Sequence, residues 1–288
     1  MSSEQHNQSN YFQVPAKNVT ANGVSYAYRE LGAQGRGGSG GFPHSSCREH
    51  GQLGPAHHRS HRRKTSRDYL QQPRCGGAST GRVPDSIEGM ADDAATFIKA
   101  LGYPKVDLFG FSLGGMIAQS LVIKHPGLVR KLVLAGTGPA GGEGIQKIIG
   151  TTYYDILRGG TLTRQDPKEF LFFNRNSAGK PAARAFIERL KERTTNREAP
   201  VKLQAFQTQL KAIRRWGGLS PSADLGVITQ PTLIANGDND RMVPSVLSSD
   251  MRRRIPGSEL VIYPDSGHGG IFQFHDRFVP VALEFLGR

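Results

Sequence analysis

The chain has 288 residues, 37% apolar and 21% charged, enough for one large domain, or one domain carrying an insertion, around a sizeable core. No apolar run approaches the roughly 18 residues a membrane span needs, and two cysteines outside any metal-type cluster exclude a disulfide framework and a zinc module. The formal net charge of +13 invites a nucleic-acid reading, but the excess is unevenly placed.

The polar opening MSSEQHNQSN lacks the apolar stretch of a secretory signal, so a cytoplasmic location is expected. Residues 17–32 read as two short strands around Asn22-Gly23, a hairpin turn signal. Residues 36–75 differ from both flanks. They hold eight basic side chains (Arg36, Arg48, Arg59, Arg62, Arg63, Lys64, Arg67, Arg74) against Glu49 and Asp68, a net +6. Five of the nine histidines and both cysteines fall there, with only seven apolar residues.

Regular patterning then returns. Asp85-Ser86-Ile87-Glu88 has capping-box spacing, and Ile87, Met90, Ala94, Phe97, Ile98 and Leu101 recur at helical intervals. Val106–Phe109 predicts a buried strand, followed by a glycine-rich turn and a helix from about Leu113 to Lys124. Further strands are predicted at Lys131–Ala135, Pro231–Ala235 and Glu259–Tyr263, and a closing helix from about Phe272 to Leu286. Strands alternating with helices argue for an α/β fold, a mostly parallel sheet with helices on both faces. Residues 141–222 interrupt the alternation with helical spacing (Phe186, Leu190; Leu203, Phe206, Leu210, Ile213) and little strand signal. They read as a helical cap that shapes a substrate pocket; a purely stabilising decoration is the plainer alternative. The chain thus divides into core (1–140), cap (141–222) and core (223–288).

The chemistry centres on Gly110-Phe111-Ser112-Leu113-Gly114-Gly115, a G-x-S-x-G pattern with a strand before it and a helix after. Glycines on either side of the serine remove the Cβ clashes of a sharp strand-to-helix turn. Ser112 then stands at a helix N-terminus, where the Leu113 N–H is a natural oxyanion donor. An unaided serine hydroxyl is a poor nucleophile and needs a base and an orienting acid. Asp238 and Asp240 follow the Pro231–Ala235 strand; Asp265 and His268 follow Glu259–Tyr263. All lie where open α/β sheets place their sites, past the C-terminal ends of strands.

GFSLGG, PTLIANGDNDRMVP and YPDSGHGG together resemble the α/β-hydrolase superfamily, close to its small esterase and cofactor-free haloperoxidase-like branch, over roughly residues 13–33 and 76–288. The resemblance implies Ser112 as nucleophile, His268 as base and Asp240 as acid. Asp240 rather than Asp238 matches because the family pattern is G-x-x-D before an apolar-Pro pair; Asp238 and Asp265 are expected to be structural. It further implies an acyl-enzyme, a small-molecule acyl substrate, no cofactor and no metal. The oxyanion would be held by the Leu113 N–H and a second donor from the loop after the third strand. Haloalkane dehalogenases and epoxide hydrolases place an Asp where Ser112 stands, which disfavours them. Phe170, Phe172, Phe173 and Trp216 either line an apolar pocket or form the cap's own core.

The resemblance calls for two more strands, the third and fourth, between the hairpin and Gly77; the chain shows no pattern for either. Codons for Leu70-Gln71-Gln72-Pro73-Arg74-Cys75, read one base later, can encode Phe-Asn-Asn-Arg-Gly, the family turn at that place. Residues from about 35 to 76 are therefore read as a frameshifted translation between compensating indels, with a basic disordered insertion as the alternative. Either way the third and fourth strands are expected to be missing or disordered. A missing oxyanion donor costs about 10²–10³ in rate, so impaired activity is expected. Two other classes compete. One is a basic nucleic-acid module through residues 59–67 (RSHRRKTSR), which lacks the aromatic platform of single-strand binders. The other is a non-catalytic scaffold of the same fold, against which the Ser112, Asp240 and His268 set argues. Neither nucleic acid nor a membrane is expected as a partner.

Overall fold

The computed structural model describes residues 15–31, 67–70, 82–195, 200–220 and 223–288. Strands β1 (Lys17–Ala21) and β2 (Val24–Leu31) form an antiparallel hairpin. Its turn residues Asn22 and Gly23 both take positive φ, 49° and 72°, the conformation a two-residue turn needs to match strand twist. A short β3 (Arg67–Leu70) pairs antiparallel with β2, with Tyr28 opposite Leu70. The sequence leads to the expectation that the third and fourth strands are missing or disordered; one short strand does form in that region, which corrects it in part. β2 lies between β1 and β3, and a ladder is made by backbone groups that any extended segment supplies, whatever its side-chain pattern. The expected frameshifted or disordered residues 35–66 and 71–76 lie outside the described residues.

The second sheet is parallel throughout, in the order β4 (Val106–Phe111), β5 (Val129–Ala135), β6 (Thr232–Gly237) and β7 (Glu259–Tyr263). Every residue of β4 and β6 is buried, which is why these strands read as near-continuous apolar runs rather than alternations. Among the described residues no strand joins the two sheets. Helix α1 (Ile87–Ala100) bridges them: its Phe97 ring lies 5.9 Å from Tyr26 and 5.7 Å from Tyr28. The cap of α1 is Ser86, not Asp85, so the capping spacing starts one residue later than predicted. Ser86 has the extended backbone an N-cap requires, and its Oγ accepts the Gly89 N–H at 3.1 Å.

Helix α2 (Leu113–Lys124) is buried from Leu113 to Val122 and packs on α1 and β4. Between β5 and β6 the described residues form four α-helices, α3 (Ile148–Ile156), α4 (Pro167–Phe172), α5 (Gly179–Lys191) and α6 (Leu203–Gly217), with a π-helical turn over Leu157–Thr163. Then come α7 (Val246–Arg254), α8 (Gly270–Gln273) and α9 (His275–Gly287). The closing helix is thus two pieces rather than one, broken where Phe274 leaves helical geometry at φ −108°, ψ 39°. Helix α9 packs its Phe278 ring 5.8 Å from Phe109 of β4, and its last turn receives the Lys131 ammonium on the Phe285 carbonyl at 2.8 Å. Helices cover both faces of the parallel sheet. No helix among the described residues is long and apolar enough to cross a membrane.

Candidate active site

Ser112 is the single residue between β4 and α2 and takes φ 53°, ψ −121°, a conformation costly for any side chain. The turn is tight enough that a Cβ on Gly110 would lie 2.4 Å from the Gly114 carbonyl oxygen; one on Gly115 would lie 2.5 Å from Thr137 Cγ2. Only glycine fits at either place. The Ser112 N–H donates to the Ala135 carbonyl at 2.9 Å, which pins the elbow to β5. Leu113 opens α2, so its N–H has no acceptor within the helix and remains available beside the serine.

The acid comes from the loop after β6. Asp240 Oδ1 accepts the Met242 N–H at 2.8 Å and the Val243 N–H at 2.9 Å, which leaves Oδ2 for another partner. The Asp240 N–H donates to Ser245 Oγ at 3.1 Å, and the Ser245 hydroxyl donates to the Gly237 carbonyl at 2.6 Å. Ser245 therefore folds the acid turn back onto β6. Sequence reasoning missed it, because a serine five residues past the acid looks like any loop residue.

Asp238, the rival acid, has a different partner set. Its carboxylate accepts the Asp265 and Ser266 N–H groups, each at 3.1 Å, tying the acid loop to the loop after β7. Asp265 contributes backbone at φ 50° to that same turn. Neither is hydrogen-bonded to Ser112 or to the ring of His268.

Three of the predicted residues do meet. His268 Nδ1 lies 2.7 Å from Asp240 Oδ2, and Nε2 lies 2.9 Å from Ser112 Oγ. A carboxylate can only accept, so Nδ1 carries the proton and Nε2 turns its lone pair to the serine hydroxyl. The His268 and Asp240 side chains are 1% and 0% exposed, so both contacts act in a low-dielectric setting where they are strong. Aromatic walls complete the enclosure. The Phe111 ring lies 4.8 Å from the imidazole and the Phe172 ring 5.7 Å, with Phe272 packed 4.9 Å from Phe111.

Of the four aromatic candidates in the insertion, Phe172 alone has its ring against His268. Phe170 is buried with the Arg175 guanidinium 4.3 Å over its ring, Phe173 packs 5.4 Å from Phe186, and Trp216 Nε1 donates to the Gly138 carbonyl at 3.2 Å. Phe173 and Trp216 belong to the hydrophobic core, as Phe172 itself does, whereas Phe170 is buried beneath guanidinium groups. The loop expected to supply the second oxyanion donor lies outside the described residues.

Comparison with known proteins gives consistent matches. The family model described as alpha/beta hydrolase fold matches residues 55–274. A 2-hydroxy-6-oxononadienedioate/2-hydroxy-6-oxononatrienedioate hydrolase of Klebsiella pneumoniae is 33% identical over 200 residues, which span 66% of this chain and 65% of that protein. A pimeloyl-[acyl-carrier protein] methyl ester esterase of Vibrio vulnificus is 26% identical over 184 residues, 62% of this chain and 69% of that one. Among solved structures, an alpha/beta hydrolase fold protein from Chitinophaga pinensis superposes with a TM-score of 0.86 at 29% identity, covering 95% of this chain and 97% of the other.

Proposed function

Because the chain belongs to the α/β-hydrolase fold family, we propose that it is a serine hydrolase working through an acyl-enzyme on a small ester-like substrate, in the cytoplasm. The observation that carries the reading is the unbroken hydrogen-bonded chain from Ser112 Oγ through the His268 ring to Asp240. His268 Nε2 takes the hydroxyl proton as Ser112 Oγ attacks the acyl carbon. Asp240 holds the ring in the reactive tautomer and stabilises the imidazolium that forms. The imidazolium then passes its proton to the leaving alcohol. Water, activated by the same nitrogen, releases the acid and regenerates the serine. The Leu113 N–H faces the oxyanion from the start of α2, where the helix dipole adds positive potential. The helical insertion serves as the cap that sets substrate shape, with Phe172 its apolar contact beside the base. Relatives named as hydrolases, one of them a methyl ester esterase, support the reaction class.

A fluorophosphonate probe tests the reading directly. One equivalent should attach at Ser112, Ser112→Ala should take up none, and a panel of p-nitrophenyl esters should rank by acyl length. A folded chain that resists the probe would return the protein to the class of non-catalytic scaffolds.

A further inference from the structure

We propose that Asp155 and Arg241 form a latch through which the helical insertion positions the acid of the triad, so that Asp155 is a positioning residue for the chemistry. The inference rests on the Ser112–His268–Asp240 reading above. Arg241 directly follows Asp240. Its Nη2 lies 2.7 Å from Asp155 Oδ2 and donates to the Phe170 carbonyl at 3.2 Å. Asp155 sits near the end of α3 with its side chain 1% exposed, and Arg241 reaches it from a half-exposed position. Asp155 Oδ1 is buried and has no partner among the described residues. A buried carboxylate half-satisfied in this way depends on its one paired cation. Burial pushes its pKa upward even against Arg241 and the more distant Arg158.

The acid turn is small. Asp240 Oδ1 is oriented by the N–H groups of Met242 and Val243, so any shift of backbone 240–243 turns the carboxylate that His268 depends on. Arg241 is the side chain in the middle of that turn, and it is fastened to α3 and α4. The base loop has the matching arrangement. Gly269, which directly follows His268, donates its N–H to the Phe172 carbonyl at 2.6 Å. Two carbonyls of one short helix, Phe170 and Phe172, thus each hold the residue immediately after a triad member. The insertion aligns acid and base against one common piece of backbone, and the Asp155–Arg241 pair locks the acid half of that alignment.

The test uses the full chain with Asp155→Asn, Arg241→Lys and the double variant. Asp155→Asn removes a buried charge and leaves Arg241 in contact with water, so its unfolding temperature should stay near wild type. A misplacement of 1 Å at a reacting group costs about 10²-fold, and a fraction of that shift about tenfold. The rate of Ser112 phosphonylation and kcat for p-nitrophenyl acetate should therefore fall about tenfold, with KM within about twofold. The downfield proton resonance of His268 Nδ1–H should move, a signature that loss of cap stability alone does not produce. Arg241→Lys keeps a cation near Asp155, but its side chain is one bond shorter and its ammonium stops short of the place from which the single Nη2 serves both acceptors; it should show a smaller loss of the same kind. The double variant should lose no more than Asp155→Asn. A folded Asp155→Asn reacting at the wild-type rate overturns the latch, as does a loss confined to KM. Should Asp155→Asn not fold, a wild-type rate in Arg241→Lys overturns it equally. A wild-type chain inert to the probe is a different failure: it removes the hydrolase reading, and the latch with it.

Discussion

Ser112 stores strain, and two substitutions separate that strain from the chemistry. Ser112→Ala and Ser112→Gly both delete the hydroxyl, and both leave His268 Nε2 without its 2.9 Å partner. That loss cancels between them. What differs is the backbone at φ 53°, ψ −121°. A side-chain-bearing residue held in a sparsely populated region costs about 1–3 kcal/mol. The upper end applies here, because ψ lies far from the +30 to +60° of the left-handed pocket. Glycine enters the conformation without that penalty but brings about 0.5–1 kcal/mol of extra chain entropy and forgoes about 0.8 kcal/mol for one buried methyl. The balance leaves Ser112→Gly about 1–2 kcal/mol more stable than Ser112→Ala. For a domain of this size that is a difference of about 2–3 °C in unfolding midpoint. Urea titration and thermal melts of the two variants, side by side, measure it. Both should be inert to the fluorophosphonate. An alanine variant as stable as the glycine variant, or more so, would refute the claim that the elbow is strained.

Other expectations follow from particular contacts. Gly110→Ala would drive a methyl to 2.4 Å from the Gly114 carbonyl oxygen; it should destabilise the fold by about 1–3 kcal/mol and slow Ser112 labelling, read by the same melts and probe. Tyr263 is buried with its hydroxyl unpartnered among the described residues, and burial pushes its pKa up to about 12. The unfolded phenol ionises near pH 10 and the folded one does not, so stability falls between pH 10 and about 12, by about 3 kcal/mol in all. Tyr263→Phe should flatten that alkaline loss without lowering stability at pH 7, as denaturant titrations at stepped pH would reveal. The gene's second reading frame across residues 35–76 should run free of stop codons. Replacing the stretch by that translation should raise kcat about 10²–10³-fold through the recovered oxyanion donor; stops in that frame, or an unchanged kcat, would count against it.

Much of the molecule is written locally. The apolar runs of Val106–Phe111 and Thr232–Gly237 announce buried parallel strands because both faces are covered. Ser112 is legible because a sharp elbow admits only glycine at its crowded neighbours, and that requirement appears within six residues of sequence. The helical period of Ile87 through Leu101 fixes α1 to within its cap, where Ser86 rather than Asp85 takes the role.

Other features depend on which loops meet. Asp238 and Asp240 look alike in the chain, and motif resemblance alone distinguished them. In the fold, Asp238 is spent on the backbone of residues 265 and 266, while the turn at 240–243 leaves one oxygen of Asp240 for His268. Phe170, Phe172 and Phe173 are near neighbours in sequence, yet only Phe172 has its ring against the imidazole. Ser245 and the Asp155–Arg241 pair leave no trace in spacing, since their meaning lies in partners brought together by the crossing of loops at the ends of parallel strands. Periodicity and steric demand act between residues a few positions apart and so are carried by the sequence itself. Burial and the pairing of charges 86 positions apart are properties of the packed chain, and only the tertiary structure decides them.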